Sequence, residues 1–299
     1  MTLMMMTFLS RKTALLFLLL LALQAQAIQL LIPMDEEGQK EHLKAYGIAY
    51  YALERGVEIE WLLNYRGGSF LIPFDEKLKL ECRIRNVSYE VIDDATANSI
   101  REAISSPAVN QSIVKLETAP KIAVYSPKSK QPWDDAVTLV LTYAEIPYDV
   151  VYDREVINDL LPKYDWLHLH HEDFTGQYGR FYAAFRTAPW YIEQKREQEA
   201  LAAELGFAKV SELKSAVAEK IREYTIGGGF LFAMCSATDS YEISLAALNV
   251  DICEPMFDGD AAEPNYQNKL NFDRCNAFEN FQLVQNPNVY EFSNIDVTN

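Results

Sequence analysis

The predicted architecture follows from one segment, Gly227-Gly228-Gly229-Phe230-Leu231-Phe232-Ala233-Met234-Cys235-Ser236-Ala237-Thr238-Asp239-Ser240. An apolar, strand-like run ends at a cysteine flanked by small residues, and a helix-like segment from Asp239 to Leu248 follows. This layout predicts a tight strand-to-helix turn, a nucleophile elbow, that holds Cys235 at the carboxyl edge of a sheet. Ala233 and Ala237 suit the turn because larger side chains there would strike its backbone. The alternative interpretation is a buried cysteine at the end of an ordinary core strand.

Strands and helices alternate on the N-terminal side of this segment. A strand at Ile28–Pro33, a helix at Glu37–Arg55 and a strand at Val57–Leu63 predict a βαβ beginning. A second α/β series starts at Lys121 and continues to the cysteine. The alternation predicts an α/β fold with a mostly parallel sheet and helices on both faces, in which the two halves could be related α/β units.

Composition shifts along the chain predict five regions. The stretch 107–120 lacks clear periodicity, and the residues after 250 are rich in turns. We therefore expect a signal peptide at 1–27, an N-terminal α/β unit at 28–106, a junction at 107–120, an α/β unit with the cysteine turn at 121–250, and a turn-rich C-terminal segment at 251–299. The chain stops without a terminating signal, so we expect a longer natural form.

The N-terminus has the pattern of a secretory signal. Arg11 and Lys12 precede an apolar run, Ala14–Leu23, that is too short to span a bilayer. Ala25-Gln26-Ala27 then supplies a small-x-small cleavage site. We expect an exported, periplasmic or extracellular protein with no stable membrane insertion after cleavage; an uncleaved anchor is the alternative.

The charge of the chain limits its partners. The formal net charge is −16 and no basic run is present. Such a surface repels nucleic acid and anionic lipid, so we expect neither as a partner. The sequence does not indicate the oligomeric state.

The chain has four cysteines, Cys82, Cys235, Cys253 and Cys275. In an oxidising compartment they could form disulfides. If Cys235 is a working thiol, one disulfide at most remains, and we expect it between Cys253 and Cys275 because both lie in the turn-rich region. No C-x-x-C occurs, so neither a zinc ribbon nor a thioredoxin-type site is indicated.

Three of the four histidines fall close together, at His168, His170 and His171. On a strand His168 and His170 share one face, whereas His171 lies where the strand opens into a loop. Glu172 and Asp173 follow in that loop. Because the carboxyl ends of parallel strands meet at one sheet edge, this cluster and Cys235 could lie side by side.

Three interpretations of the cluster remain open. His170 or His171 could deprotonate Cys235 while a carboxylate such as Glu172 orients the ring, which requires no cofactor. Alternatively, His168, His170 and one of Glu172 or Asp173 could bind a divalent metal. The third interpretation is that the histidines are packed structural residues.

A candidate anion contact lies in the N-terminal α/β unit. Arg66 precedes Gly67, Gly68 and Ser69, and an arginine beside exposed backbone donors can grip a carboxylate or phosphate. Arg66 is therefore a candidate anion contact; a plain glycine turn is the alternative.

Several motifs carry a resemblance. They are Leu31-Ile32-Pro33-Met34-Asp35-Glu36, His42-Leu43-Lys44-Ala45-Tyr46-Gly47, Trp61-Leu62-Leu63-Asn64-Tyr65-Arg66-Gly67-Gly68-Ser69, His168-Leu169-His170-His171-Glu172-Asp173-Phe174-Thr175-Gly176 and Phe232-Ala233-Met234-Cys235-Ser236-Ala237-Thr238-Asp239. Together they resemble exported Bacteroidota proteins commonly labelled asparagine synthetase B. The second series also resembles the class I glutamine amidotransferase-like, flavodoxin-like fold, in which an earlier strand-end loop supplies oxyanion contacts. That resemblance implies an oxyanion or ligand role for Asp173, Thr175, Gly176 and Ser236.

The chain departs from both families at particular residues. Gly-x-Cys-x-Gly is replaced by Ala233-Met234-Cys235-Ser236-Ala237, and no histidine follows Cys235. The loop Ser236–Ser240 contains no glycine to cradle the phosphates of ATP. Three functions remain open: a thiol hydrolase or transferase acting on a small amide or acyl substrate, a non-catalytic periplasmic binding module, and the glutamine-hydrolysing asparagine synthetase of the family label.

Overall fold

The structure, a computed structural model, describes residues 28–127 and 135–296. The predicted signal peptide, residues 1–27, lies outside the described residues. The chain divides into two compact units: the first contains the described residues up to Ala119 with Tyr143–Ile146, and the second contains Pro120–Thr142 and the residues from Pro147 onward. None of the described helices has both the length and the apolar character needed to cross a membrane.

The first unit contains a five-stranded antiparallel sheet. Its strands are β1 (Ile28–Ile32), β2 (Ile59–Leu63), β3 (Ser69–Pro73), β4 (Glu90–Asp93) and β5 (Ser112–Leu116), in the order β4-β1-β3-β2-β5. Its helices are α1 (His42–Glu54), α2 (Glu76–Ile84) and α3 (Asp94–Ile104). Apolar side chains of α1, such as Ile48, pack with Leu30 and Ile72, whereas Ile100 of α3 packs with Leu31 and Leu71. Neighbouring strand residues alternate between these two clusters, so helices cover both faces.

The prediction of a mostly parallel sheet is wrong for this unit. Strand β1 pairs antiparallel with β3 and β4, and β3 pairs antiparallel with β2. Strands β1 and β2 therefore run in the same direction, as a βαβ crossover requires, but β3 lies between them. Strand β5 lies inside the predicted junction 107–120, because pairing with β2 supplies the order that its local sequence pattern lacks.

The second unit contains a parallel sheet of four strands. They are β6 (Ile122–Tyr125), β7 (Asp149–Val151), β8 (Trp166–Leu169) and β9 (Phe230–Ala233), in the order β7-β6-β8-β9. The helices in this part of the chain are α4 (Ala136–Ala144), α5 (Asp153–Ile157), α6 (Tyr182–Phe185), α7 (Pro189–Glu204), α8 (Val210–Ile226), α9 (Ser236–Ala246) and α10 (Pro255–Asp258). Short 3₁₀ helices occur at Leu161–Lys163, Tyr178–Arg180, Tyr266–Lys269, Phe272–Arg274 and Asn294–Asp296. The chain as a whole is therefore α/β, with one antiparallel and one parallel sheet.

One face of the parallel sheet forms the core of the second unit. Leu167 and Leu169 of β8 pack with Leu213 and Val217 of α8. On β9, Phe230 and Phe232 are exposed, so the expected covering of both faces is incomplete there. The sequence order also reverses direction at β6, since the chain moves to β7 on one side and then to β8 on the other. Ligands of open parallel sheets bind outside the carboxyl ends of strands at such a switch point.

Candidate functional site

Cys235 occupies a sharp turn between a strand and a helix. Strand β9 ends at Ala233 and α9 begins at Ser236, three residues earlier than the sequence predicts. The backbone of Cys235 has φ 55° and ψ −146°, a conformation that costs a non-glycine residue roughly 1–3 kcal/mol. The residue is exposed. The turn therefore presents the thiol to solvent at the carboxyl end of β9.

Hydrogen bonds join this turn to the loop after β8. The N–H groups of Met234 and Ala237 donate to the carbonyl oxygens of Leu169 and His170, each over 3.1 Å. The hydroxyl of Ser236 donates to the carbonyl oxygen of His171 over 3.0 Å. The expected meeting of the cysteine turn and the histidine loop at one sheet edge is therefore present in the backbone.

A third contact extends this connection into the interior. The buried Ser240 hydroxyl donates to the Glu172 carbonyl oxygen over 2.8 Å and accepts from the Phe174 N–H over 3.3 Å. Asp239 and Ser240 lie inside α9 and are buried. They connect the helix to its surroundings instead of beginning it.

His170, His171 and Asp135 form a cluster. The Nδ1 atoms of the two histidines are 3.1 Å apart, and His170 Nδ1 is 3.5 Å from Asp135 Oδ2. One ligand atom from each residue lies within 4.8 Å of the other two. Asp135 was not predicted as a site residue. Its signal in the sequence is only that of an aspartate near the start of a helix after the first strand of the second series.

Asp135 is held rigidly at the start of α4. Its Oδ1 accepts from the N–H groups of Val137 and Thr138 over 2.8 and 3.0 Å. Its Oδ2 is buried and has no hydrogen-bond partner among the residues that the structure describes. The helix thus fixes one carboxylate oxygen and leaves the other beside the histidines.

Burial controls the charge of the groups next to this cluster. Glu172 is buried, and burial raises the pKa of its carboxyl to about 8; Lys214 opposes the rise and Asp153 adds to it. Burial and the neighbouring His170 lower the pKa of His171. Glu172 Oε1 lies 3.6 Å from His171 Nε2, which is longer than a hydrogen bond.

The Cys235 thiol differs from the other three. Burial raises the pKa of Cys82 and Cys275 to about 12, and it also raises the pKa of Cys253 well above the ordinary value. Cys235, by contrast, is exposed. No hydrogen bond joins its thiol to His170 or His171 within residues 28–127 and 135–296.

The expected metal set of His168, His170 and Asp173 is not assembled. Strand β8 ends at Leu169, so His170 has left the alternating pattern that would place it beside His168. The His168 ring stacks on Phe232 with centroids 5.3 Å apart, and burial lowers its pKa to about 4. The packed interpretation thus applies to His168, while His170 and His171 remain together.

The predicted oxyanion loop is occupied by its own hydrogen bonds. The Asp173 carboxylate accepts from the N–H and hydroxyl of Thr175 and from the N–H of Gly179. Gly176 is buried at φ 81°, and a Cβ there would lie 2.7 Å from the backbone of Ser211. Asp173, Thr175 and Gly176 therefore shape the loop, and of this predicted set Ser236 alone lies in the cysteine turn.

Arg66 is not a free anion contact. Its Nε lies 2.6 Å from Asp35 Oδ2, and its Nη1 lies 2.7 Å from Glu90 Oε1. These carboxylates raise the pKa of Arg66 above its ordinary value. Two acidic side chains of the first unit therefore occupy the hydrogen-bonding positions at which the sequence predicts an anionic ligand.

The expected Cys253–Cys275 disulfide is absent, since all four cysteines are free. The buried Cys253 thiol donates to the Thr175 carbonyl oxygen over 3.3 Å, and the Cys275 thiol donates to that of Glu242 over 3.5 Å. The two thiols therefore belong to different parts of the packing. Cys253 also lies with Asp251 and Asp258 in a second group of potential metal ligands. Lys209 pairs with both carboxylates, at 2.8 and 3.1 Å, and offsets part of their charge.

A buried ion pair lies behind the histidine loop. Lys214 Nζ is 2.9 Å from Asp153 Oδ1 and donates to the hydroxyls of Tyr125 and Tyr152 over 3.0 and 3.1 Å. Both charged side chains are almost fully buried. Nothing in the hydrophobic pattern predicted them, because Lys214 occupies a core-facing position of α8.

Comparisons of the chain with protein-family models, with curated proteins and with solved structures found no match.

Proposed function

We propose that this chain is an exported hydrolase or transferase that acts on a small amide or acyl substrate through Cys235. The observation that carries the proposal is the exposed thiol on a strained strand-to-helix turn whose neighbours bind the backbones of His170 and His171. Strain of this kind persists where the surrounding structure imposes it, and it clusters at active sites.

The chemistry follows from these positions. One imidazole of the pair takes the proton of Cys235, and the thiolate sulfur attacks the carbonyl carbon of the substrate. The oxyanion forms beside the first turn of α9, where the helix dipole stabilises negative charge; the N–H groups of Ala237 and Thr238 are engaged by the carbonyl oxygens of His170 and Cys235. The imidazolium returns its proton to the departing amine or alcohol as the bond to carbon breaks. Water, or another acceptor, then cleaves the thioester and regenerates the thiol.

Glu172 orients the base in this scheme. Its Oε1 lies 3.6 Å from His171 Nε2, and His171 Nδ1 lies 3.1 Å from His170 Nδ1, so transfer of the thiol proton to that Nδ1 breaks the contact between the two rings. A thiol–imidazole hydrogen bond would form in the substrate complex, as catalytic hydrogen bonds often tighten only with substrate bound. The reaction requires no cofactor.

The order of the parallel sheet supports the class I glutamine amidotransferase-like relationship. Numbered within the unit, the strands lie in the order 2-1-3-4, which agrees with the first four strands of a flavodoxin-like sheet. The base differs from that family, because His170 and His171 precede the nucleophile in the chain. The turn after Cys235 forms the first turn of a helix and contains no glycine, so ATP-dependent asparagine synthesis is not part of the proposal.

A non-catalytic binding module of the same fold is the second candidate. The observation that favours it is the lack of a thiol–imidazole hydrogen bond among the described residues. In that case the switch-point edge would hold a small ligand without bond cleavage.

Selective alkylation tests the thiol. Purified protein is treated briefly with iodoacetamide between about pH 5 and 8, and the modified cysteines are mapped by mass spectrometry. We expect Cys235 to react first and the other three to stay largely unmodified because burial disfavours their thiolates. If Cys235 in folded protein does not react, the hypothesis that it is the nucleophile is wrong.

Turnover separates the enzyme from the binding module. Chromogenic esters and anilides are assayed with wild type, Cys235→Ser, His171→Gln and the control His42→Gln, whose histidine lies in the first unit. We expect Cys235→Ser to abolish turnover and His171→Gln to reduce it roughly 100-fold or more, the size of a general-base contribution. Equal rates of turnover in wild type and Cys235→Ser would reject catalysis through Cys235 and leave the binding module as the remaining candidate.

A further inference from the structure

Three side chains with metal-ligating chemistry meet at the switch point of the parallel sheet. Asp135 follows β6 in the chain, and His170 and His171 follow β8, the neighbouring strand. Two imidazole nitrogens and one carboxylate oxygen form a donor set that suits zinc and similar divalent ions better than magnesium or calcium.

The spacing of the donor atoms fits one ion. Zinc bonds of about 2.0–2.1 Å in tetrahedral geometry place ligand atoms about 3.3 Å apart. The two measured separations, 3.1 Å between the Nδ1 atoms and 3.5 Å between His170 Nδ1 and Asp135 Oδ2, lie on either side of this value. All three donor atoms fall within 4.8 Å of one another, so small side-chain rotations complete the set.

The buried Asp135 oxygen is an independent indication. An unsatisfied carboxylate oxygen costs free energy in the interior, and Oδ2 has no hydrogen-bond partner among the described residues. The side chain is only 10% exposed. A cation bound between Oδ2 and the two imidazoles would satisfy this atom.

The groups around the donors also resemble those around bound metals. Ligating histidines usually direct their second ring nitrogen at a carboxylate, and His171 Nε2 lies 3.6 Å from Glu172 Oε1. Ligating carboxylates are usually held by hydrogen bonds, and Asp135 Oδ1 accepts two from the start of α4. Glu172 and the N–H groups of α4 therefore lie on the sides of His171 and Asp135 that face away from the atoms that would bind the ion.

We infer that Asp135, His170 and His171 bind one zinc-like divalent ion. This set replaces the one expected from the sequence, because Asp135 takes the place of His168 and Asp173. Bound metal would occupy the lone pairs of both imidazoles, so it would withhold the base from Cys235. That regulatory consequence rests on the proposed function, whereas the binding does not.

Calorimetric titration with zinc tests the site. The full chain is stripped with a chelator, dialysed and titrated, and cobalt absorption then reports the coordination geometry. We expect one ion per chain, with affinity at least about tenfold lower in Asp135→Asn and in His171→Gln. Two variants provide a check if either protein fails to fold, and thermal unfolding monitors folding.

Matched controls come from the first unit. Asp75 caps α2 through the same two contacts, at 2.8 and 3.0 Å from backbone nitrogens, and His42 is a histidine of the first unit that lies outside the cluster. Asp75→Asn and His42→Gln should bind zinc as wild type does. Absence of binding, or equal affinity in folded Asp135→Asn and His171→Gln, would overturn the assignment.

Cys235 distinguishes the two proposals. Cys235→Ser should keep its zinc affinity within about threefold, an interval well below the tenfold loss expected for a ligand. In wild type, saturating zinc should slow alkylation of Cys235 at least about tenfold if an imidazole acts as its base. Selective alkylation without zinc binding would reject the metal site and leave the thiol function; zinc binding with an inert Cys235 would do the reverse.

Discussion

The N–H of Ala237 donates to the carbonyl oxygen of His170 over 3.1 Å, and this bond joins the first turn of α9 to the loop after β8. Since the bond is between backbone groups, it places the cysteine turn beside the histidine pair whatever rotamers their side chains adopt. The chemistry at this edge of the parallel sheet then depends on which side chains the turn and the loop carry. The stability of the edge depends on the backbone strain at Cys235 and on the charged groups buried nearby.

Replacing Cys235 with glycine should stabilise the protein relative to alanine. The backbone at φ 55° and ψ −146° is strained for alanine but accessible to glycine, so Cys235→Gly should exceed Cys235→Ala in free energy of unfolding by about 1 kcal/mol. Urea denaturation measures the difference. At Cys275, where φ is −69°, the same comparison should favour alanine. A preference for alanine at Cys235 would show that the turn is unstrained.

His168 should make the protein sensitive to acid. The unfolded chain protonates this imidazole below about pH 6.5, but the folded protein does so only below about pH 4. The unfolded state therefore binds more protons in this window, and stability falls by up to about 3 kcal/mol as the pH drops from 6.5 to 4.

His168→Leu should remove that sensitivity. Leucine fills the position without an ionisable ring, so the stability of the variant relative to wild type should rise as the pH falls through this window. Urea unfolding at pH 7, 5.5 and 4 provides the comparison, with His42→Gln as the control. Parallel pH profiles for His168→Leu and wild type would contradict the assignment.

Lys214→Met should be strongly destabilising because it leaves Asp153 buried without its cation. Breaking a buried pair in this way typically costs about 3–5 kcal/mol. The double variant Lys214→Met with Asp153→Asn should cost less than the sum of the two single changes. Arg154→Met, which breaks the exposed pair with Glu204, should cost about 1 kcal/mol or less. Similar costs at the buried and exposed pairs would argue against a desolvated charge at Lys214.

Glu242→Gln should loosen the C-terminal segment. The buried Glu242 carboxylate accepts hydrogen bonds from the N–H groups of Asn276, Ala277 and Phe278, so neutralising it should cost about 1.5–3 kcal/mol. Hydrogen exchange should increase in residues 276–296. The control Glu279→Gln makes the same charge change at an exposed residue and should have little effect. Uniform exchange changes across the second unit would instead indicate global destabilisation.

Much of the second unit could be predicted from the sequence. The strand before Cys235, the helix after it and the histidines at the end of β8 follow from local periodicity, because residues within a few positions decide which side of a strand or helix is apolar. The cysteine turn was predictable for the same reason. The sequence predicts the start of α9 three residues late, because Ser236 and Thr238 are polar residues in its first turn.

The remaining features depend on contacts between distant residues. Local alternation could not show that β3 inserts between β1 and β2, because strand direction is set by pairing across the sheet. Nor could it place Asp135 beside His170, which is 35 positions away in the chain, or separate His168 from that group. The sequence by itself determined most of the strands and helices, though not β5, and it determined the position of the thiol in the chain. The tertiary structure decided which polar groups share one buried space, because that choice depends on long-range packing and on the cost of leaving charge unpaired away from water.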